Sequence, residues 1–96
     1  MADITVGQTK VFTIPANAET KLLLPAATQH FSIQSRDLAN TVFFRFDGED
    51  AAIDDAECHV MDTTIAGYAG LYSETVIGFI SLITAAETDI ILFNVY

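Results

Sequence analysis

Alternation of apolar and polar side chains with a period of two runs through this chain. In residues 41–46, Thr-Val-Phe-Phe-Arg-Phe, the side chains of Val42, Phe44 and Phe46 share one face of an extended strand and are candidate core residues. In residues 29–35, Phe31 and Ile33 alternate with His30, Ser32 and Gln34, the pattern of a strand with one wet face. Residues 9–14, Thr-Lys-Val-Phe-Thr-Ile, form another β-rich run, and residues 20–24 a shorter one ended by Pro25. Between residues 35 and 41 stands Arg36-Asp37-Leu38-Ala39-Asn40, with an Asp and an Asn whose side chains hydrogen-bond within turns. A hairpin is expected there.

Two longer runs close the chain. Residues 75–83 and 88–96 are rich in β-branched and aromatic side chains, and only Thr84-Ala85-Ala86-Glu87 separates them. Connections of four residues are common in hairpins, so these two strands are expected to pair with each other. Both are apolar on each face: Ile77, Phe79 and Ile83 against Val76, Ile80 and Leu82, then Ile90 and Leu92 against Ile91, Phe93 and Val95. Such a strand lies centrally in a sandwich or supplies a subunit interface, which places Phe79, Leu92 and Phe93 in the core or at an interface. Gly78 marks a bulge or a close backbone approach. Residues 51–57 admit a single helical turn at most, with Asp50 as its N-cap. Residues 61–73, which contain Gly67, Tyr68, Gly70 and Tyr72, show no clean period and read as a long loop or irregular edge. Seven or eight short strands with turn signals between them predict an all-β fold, a small antiparallel β-sandwich or barrel.

Composition narrows the picture. At 96 residues the chain makes one β domain, 1–96, with residues 1–14 an N-terminal arm or edge strand. A hydrophobic content of 51% excludes disorder. Against 13 acidic residues stand only 4 basic ones, a net charge of -9, and Lys10, Lys21, Arg36 and Arg45 are scattered singly. Nucleic acid is therefore not an expected partner, because phosphate binding rests on clustered basic side chains. A folded chain of this size exposes roughly 5,400 Å². Six of its few charged residues are crowded between Asp47 and Glu57, so much of the remaining surface must be apolar, which points to a homo-oligomer or an assembly component. The apolar stretches fall short of the roughly 20 residues that a membrane helix needs, and the first residues lack a basic-then-apolar signal. Cys58 is the only cysteine, so no intrachain disulfide forms. The expectation is a soluble protein made in the cytosol, away from membranes.

Candidate chemistry is sparse. The run of Asp47, Glu49, Asp50, Asp54, Asp55 and Glu57 puts six carboxylates within eleven residues, the kind of oxygen-rich loop that binds calcium. Its spacing fails the EF-hand rule, since Gly48 follows the first Asp and no bidentate Glu stands at the twelfth position. Asp47, Glu49, Asp50, Asp54 and Asp55 therefore remain weak calcium candidates beside a solvated loop that keeps the particle soluble or meets a basic partner. Neighbouring residues on a strand point to opposite faces, so Cys58 and His59 cannot serve one another as nucleophile and base. Cys58 reads as a small core residue and His59 as a surface one, while His30 lies on another strand. The five glycines, at 7, 48, 67, 70 and 78, do not form a phosphate loop. No catalytic residue and no cofactor are expected. Tyr68 and Tyr72 form a contact surface for a partner or a glycan, or pack structurally.

From about His30 onward the succession of elements resembles a group of small bacteriophage virion proteins. The residues that carry the likeness are His30-Phe31-Ser32-Ile33-Gln34-Ser35, a polar turn, and Val42-Phe43-Phe44-Arg45-Phe46-Asp47-Gly48. An acidic loop and a closing pair of β-strands follow. Strand order sets the pattern more than invariant residues do, and it is similar to that of head decoration (cement) proteins and small head or tail accessory proteins. The resemblance implies a non-enzymatic virion protein on the capsid surface that bridges major capsid protein subunits, with a homotrimer favoured. It also implies an N-terminal arm, residues 2–14, that contacts the shell by adding a strand to a capsid edge. Two other readings stay open: a receptor- or glycan-binding module of a head or tail fibre that uses residues 67–72, and a head-to-tail connector or tail component.

Overall fold

Strands form where β-branched and aromatic residues cluster, and the turns between them fall at Gly, Pro, Asp and Asn. The computed structural model describes residues 1–96 as eight strands. They are β1 (Lys10–Ile14), β2 (Thr20–Leu23), β3 (His30–Ser35), β4 (Val42–Arg45), β5 (His59–Met61), β6 (Gly67–Tyr72), β7 (Phe79–Thr84) and β8 (Thr88–Phe93). Two antiparallel sheets of four result, in the orders β1-β8-β3-β6 and β2-β7-β4-β5. The fold is a β-sandwich, not a closed barrel. Every connection except β4 to β5 passes from one sheet to the other, and this order is that of a jelly roll.

Inward side chains of both sheets make one core. Ile14, Phe31, Ile33, Ile90 and Leu92 come from the first sheet and Leu22, Val42, Phe44, Met61, Ile80 and Leu82 from the second. Ile4, Leu24, Ile77 and Val95 complete this cluster of 15 buried residues. Phe46 packs against it half-buried, edge-on to Phe31 at 5.1 Å between ring centroids. The face shared by Val42, Phe44 and Phe46 thus points inward as the alternation requires. The arm is tucked in at its start: Ile4 is buried, and Lys10–Ile14 is the edge strand beside β8.

Both expected hairpins are absent. β3 and β4 lie in different sheets, and so do β7 and β8, so residues 36–41 and 85–87 are arches that cross the sandwich. The reason lies in polar side chains that the apolar pattern does not register. Thr84 and Thr88 are buried. The Thr84 hydroxyl lies 2.9 Å from the carbonyls of Thr41 and Ala86, and Thr88 Oγ1 donates to Ala86 O. Asn40 Nδ2 donates to Glu87 O at 3.3 Å and Arg36 N to Asp89 O at 2.9 Å, which ties the two arches together. Each closing strand then becomes an inner strand of a different sheet, β7 between β2 and β4 and β8 between β1 and β3. Of the three apolar residues expected in the core or at an interface, Leu92 is buried there, whereas Phe79 and Phe93 are half-buried on the outer faces.

Residues 61–73 hold more order than their composition suggests. They contain the end of β5 and all of β6, which pairs with β3 through a one-residue bulge between Phe31 and Ile33. Gly70, at φ +68°, takes the left-handed turn of the bulge, and its N–H donates to Ser32 Oγ at 2.9 Å. A Cβ at Gly67 would lie 2.7 Å from Ile33 O, so β6 sits this close to β3 only with glycine there. Gly78 instead precedes β7 with open space around it, so the close approach expected at 78 occurs at 67. Residues 51–57 contain turns and no helix.

These burial patterns predict unequal costs for two neighbouring residues. Leu92→Ala should lose about 2–5 kcal/mol in urea denaturation. Phe93→Ala, cut from a half-exposed ring, should lose clearly less. Equal losses would place Phe93 in the core.

Candidate functional site

The outer face of the second sheet carries half of the chain's cations. Lys21 on β2 and Arg45 on β4 both stand opposite Ser81 on β7, so the three form one row across the sheet. The acidic loop after β4 folds back over this row. Ala51, itself buried, donates its N–H to Ser81 Oγ at 2.8 Å, and Ser81 in turn donates to Glu19. Lys21 Nζ lies 2.9 Å from both Glu19 and Asp50. Arg45 grips Asp47 with two donors, Nε to Oδ1 at 3.0 Å and a terminal nitrogen to Oδ2, while its other terminal nitrogen reaches Asp55 at 3.4 Å. The loop is therefore a strap, fastened at three points, and not the free solvated segment that its charge suggests.

These contacts set the titration of the strap. The Arg45 guanidinium holds the Asp47 carboxyl below the usual carboxylate range, and Asp47 raises Arg45 in return. Hydrogen bonds to Asp50 first and Glu19 second raise Lys21. Asp62 lies outside the strap, in the turn before β6. There the Thr64 hydroxyl, then the Ile65 and Thr64 N–H groups, donate to its carboxylate and lower it.

The five calcium candidates are not gathered. Asp47 and Asp55 face Arg45, Asp50 faces Lys21, and Asp54 occupies a left-handed turn position at φ 61°. Glu49 is exposed and donates its N–H to Asp47 Oδ1. Nowhere do three or more His, Cys, Asp or Glu side chains converge on a point that could hold a metal ion. Cys58 is half-buried, not core, with its thiol 3.7 Å from Ala52 O. His59 is exposed as expected, but its ring lies between those of Phe44 and Phe46, about 5.2 Å from each. His30 meets Asn94 O through Nδ1 at 2.9 Å, and no hydrogen bond joins either histidine to Cys58. An open cleft of about 210 Å³ is lined by Arg45, Phe46, Asp47, Glu57 and His59, and its one guanidinium is already paired with Asp47.

A group of exposed apolar side chains lies at one end of the sandwich, away from the arches. Five hydrogen bonds draw segments together there: Asp3 N to Leu23 O, Leu24 N to Gly78 O, Ile77 N to Thr28 O, Gln29 N to Tyr96 O and Gly7 N to Val95 O. These segments carry exposed Val6, Leu23, Val76 and Tyr96, and Tyr72 stands beside them opposite His30. The Tyr96 ring stacks on His30 at 4.3 Å, so Tyr72, His30 and Tyr96 form an aromatic row across the first sheet. Tyr68 is not part of it. Its ring packs against Phe44, and its hydroxyl donates to Val60 O at 3.0 Å. The sequence singled out Tyr72 but not Tyr96, which only the return of the last residues beside β3 brings to His30.

Compared with protein-family models, curated proteins and solved structures, the chain matches none.

The lowered Asp62 gives a pH prediction. A carboxyl whose folded value is depressed stabilises the fold above its unfolded value, near pH 4, and loses that contribution as pH falls through the folded value. Asp62→Asn keeps an acceptor but cannot titrate. The variant should be less stable than the wild type at neutral pH, with the gap closing as pH drops below about 4. Urea midpoints across that range read it, and a constant gap would contradict this role for the carboxylate.

Proposed function

We propose that this chain is a non-enzymatic structural protein of a bacteriophage virion, which seats on the outer surface of the capsid and stabilises it by bridging major capsid protein subunits. The observation that carries this reading is the division of the surface. An acidic strap is fastened against one sheet, while Val6, Leu23, Tyr72, Val76 and Tyr96 are exposed around one end of the domain. Exposed apolar side chains grouped around one end of a domain favour a protein contact there. A charge of -9 keeps unassembled copies apart until a larger surface offers that contact. The jelly-roll strand order supports the reading as an analogy of architecture, since capsid domains of viruses commonly use it. The resemblance from about His30 onward points the same way and favours a homotrimer. Stabilisation follows by mass action, because many copies that bind only the assembled shell shift its equilibrium against dissociation.

Purified protein should raise the melting temperature of shells that lack it, and mass spectrometry should find it in virions at high copy. Val76→Glu, at an exposed position, should leave the free domain's own melting unchanged and abolish the shell effect. No shift with wild-type protein, or absence from virions, would overturn the proposal.

The aromatic row of Tyr72, His30 and Tyr96 favours one other reading, a glycan-binding module of a fibre, because jelly rolls also serve as lectins and flat exposed rings stack on sugars. Glycan-array binding that Tyr96→Ala abolishes would establish it in place of the capsid role.

A further inference from the structure

Four strands end the two sheets, and their outward backbone groups are treated differently. On β2, the bond from Leu24 N to Gly78 O shows that the even-numbered residues face β7, so Leu23 turns its N–H and C=O outward. Asp3 takes both: its N–H donates to Leu23 O at 2.8 Å, and its carboxylate accepts from Leu23 N at 2.7 Å. On β5, which is three residues long, the Val60 carbonyl accepts from Tyr68. On β6 the bulge at Gly70 breaks the line of the edge.

On β1 nothing of this kind is found. Arg36 N donates to Asp89 O, so Asp89 and Ile91 face β3 and leave Thr88, Ile90 and Leu92 to bond β1. Their partners are Ile14, Phe12 and Lys10. Val11 and Thr13 therefore direct their N–H and C=O groups away from the sheet. No bulge interrupts them, and no hydrogen bond to either residue's backbone is made from outside the sheet.

We infer that the β1 edge binds the β1 edge of a second copy of this chain, antiparallel about a two-fold axis at Phe12, joining the two first sheets into one of eight strands. Three features select this occupant. The register is self-complementary: centring the pair on Phe12 sets Val11 opposite Thr13 of the other copy, so outward groups meet outward groups and make four main-chain hydrogen bonds. The side-chain pairs also suit it, with β-branched Val11 against Thr13, half-buried Phe12 against its symmetry mate, and Lys10 against Ile14 instead of against another lysine. Finally, residues 4–18 carry one cation, Lys10, and no carboxylate, and the Asp89 carboxylate beside the edge is held by the Thr13 hydroxyl at 2.7 Å. The contact is small, which places it among weak, concentration-dependent interfaces. A two-fold pair of this kind is not the three-fold association implied by the resemblance, and it stands whether or not the protein belongs to a virion.

The test is sedimentation of the full chain over a concentration series, with amide hydrogen exchange at the two ends of the series. The mass should rise from that of one chain toward that of two, and more readily in high salt, which screens the net charge. The Val11 and Thr13 amides, open in the monomer, should exchange about tenfold more slowly at high concentration. Phe12 should stay protected at both ends. Val11→Pro removes an outward N–H and no bond to β8, so it should remain folded by circular dichroism and stay monomeric. Should it fail to fold, the exchange of the wild-type amides decides alone. A chain that remains monomeric, a trimer, or association that leaves Val11 and Thr13 unprotected would each overturn the inference. Protection that appears only when another virion protein is added would assign the edge to a foreign strand and overturn it as well.

Discussion

Two arches stacked against one another determine the rest of this structure. Residues 36–41 and 85–87 each carry the chain from one sheet to the other, and neither holds its place alone. Thr84 joins them, with its buried hydroxyl on the Thr41 carbonyl, and Asn40 reaches across to Glu87. The Thr84 hydroxyl has an acceptor in each arch, Thr41 O and Ala86 O, so the burial that would cost about 1–3 kcal/mol without a partner is met where the two arches come together. Once they are fixed, β7 and β8 must enter different sheets, and each becomes an inner strand with side chains covered on the core side. The strand order follows from that separation.

The same separation explains why two strands carry apolar residues on both faces. Ile80 and Leu82 fill the core from β7 while Phe79 and Ile83 look outward, and β8 repeats the scheme with Ile90 and Leu92 against Ile91 and Phe93. Outer faces of this kind need cover. On the second sheet the strap supplies it, held by Ser81, Lys21 and Arg45. Exposed ion pairs contribute little. Arg45, though, has only 14% of its side chain exposed, and its paired donors on Asp47 fix a geometry as well as a charge. The acidic run thus combines two properties that its sequence presents as one: it is a charged surface and also a lid on a sheet face.

Strand positions and the inward faces of β3 and β4 were legible because period-two alternation is a local signal that burial enforces. The pairing of strands was not, since a four-residue link such as 84–87 serves a hairpin or an arch equally well, and the choice rests on where two threonine hydroxyls find partners. β6 escaped notice because Gly67 and Gly70 lower strand propensity. Both are there for geometric reasons, a close approach to Ile33 and a left-handed bulge, that appear only when β3 is beside them. For the candidate site, the acidic run was visible as composition. Its fastening was not, because Glu19 with Lys21, Arg45 and Ser81 come from three separate places in the chain. Tyr72 stood out in the sequence, whereas Tyr96 acquires its role from the reciprocal bonds between the last residue and His30.

Charge and edges act together on how copies of this domain meet. A sandwich that does not close has four edges, each a template for unwanted pairing. Here Asp3, Tyr68 and the Gly70 bulge modify three of them, by a carboxylate, a phenol and a kink. Acidic residues concentrate in the strap, and none lies between Ile4 and Ala18, so charge is unevenly spread along the chain, with Asp89 the carboxylate held against β1 by Thr13. The apolar end and the β1 edge are different parts of the surface. The first offers apolar side chains without directional bonds, whereas the second offers directional bonds over little area, which suits a register-specific contact between equals.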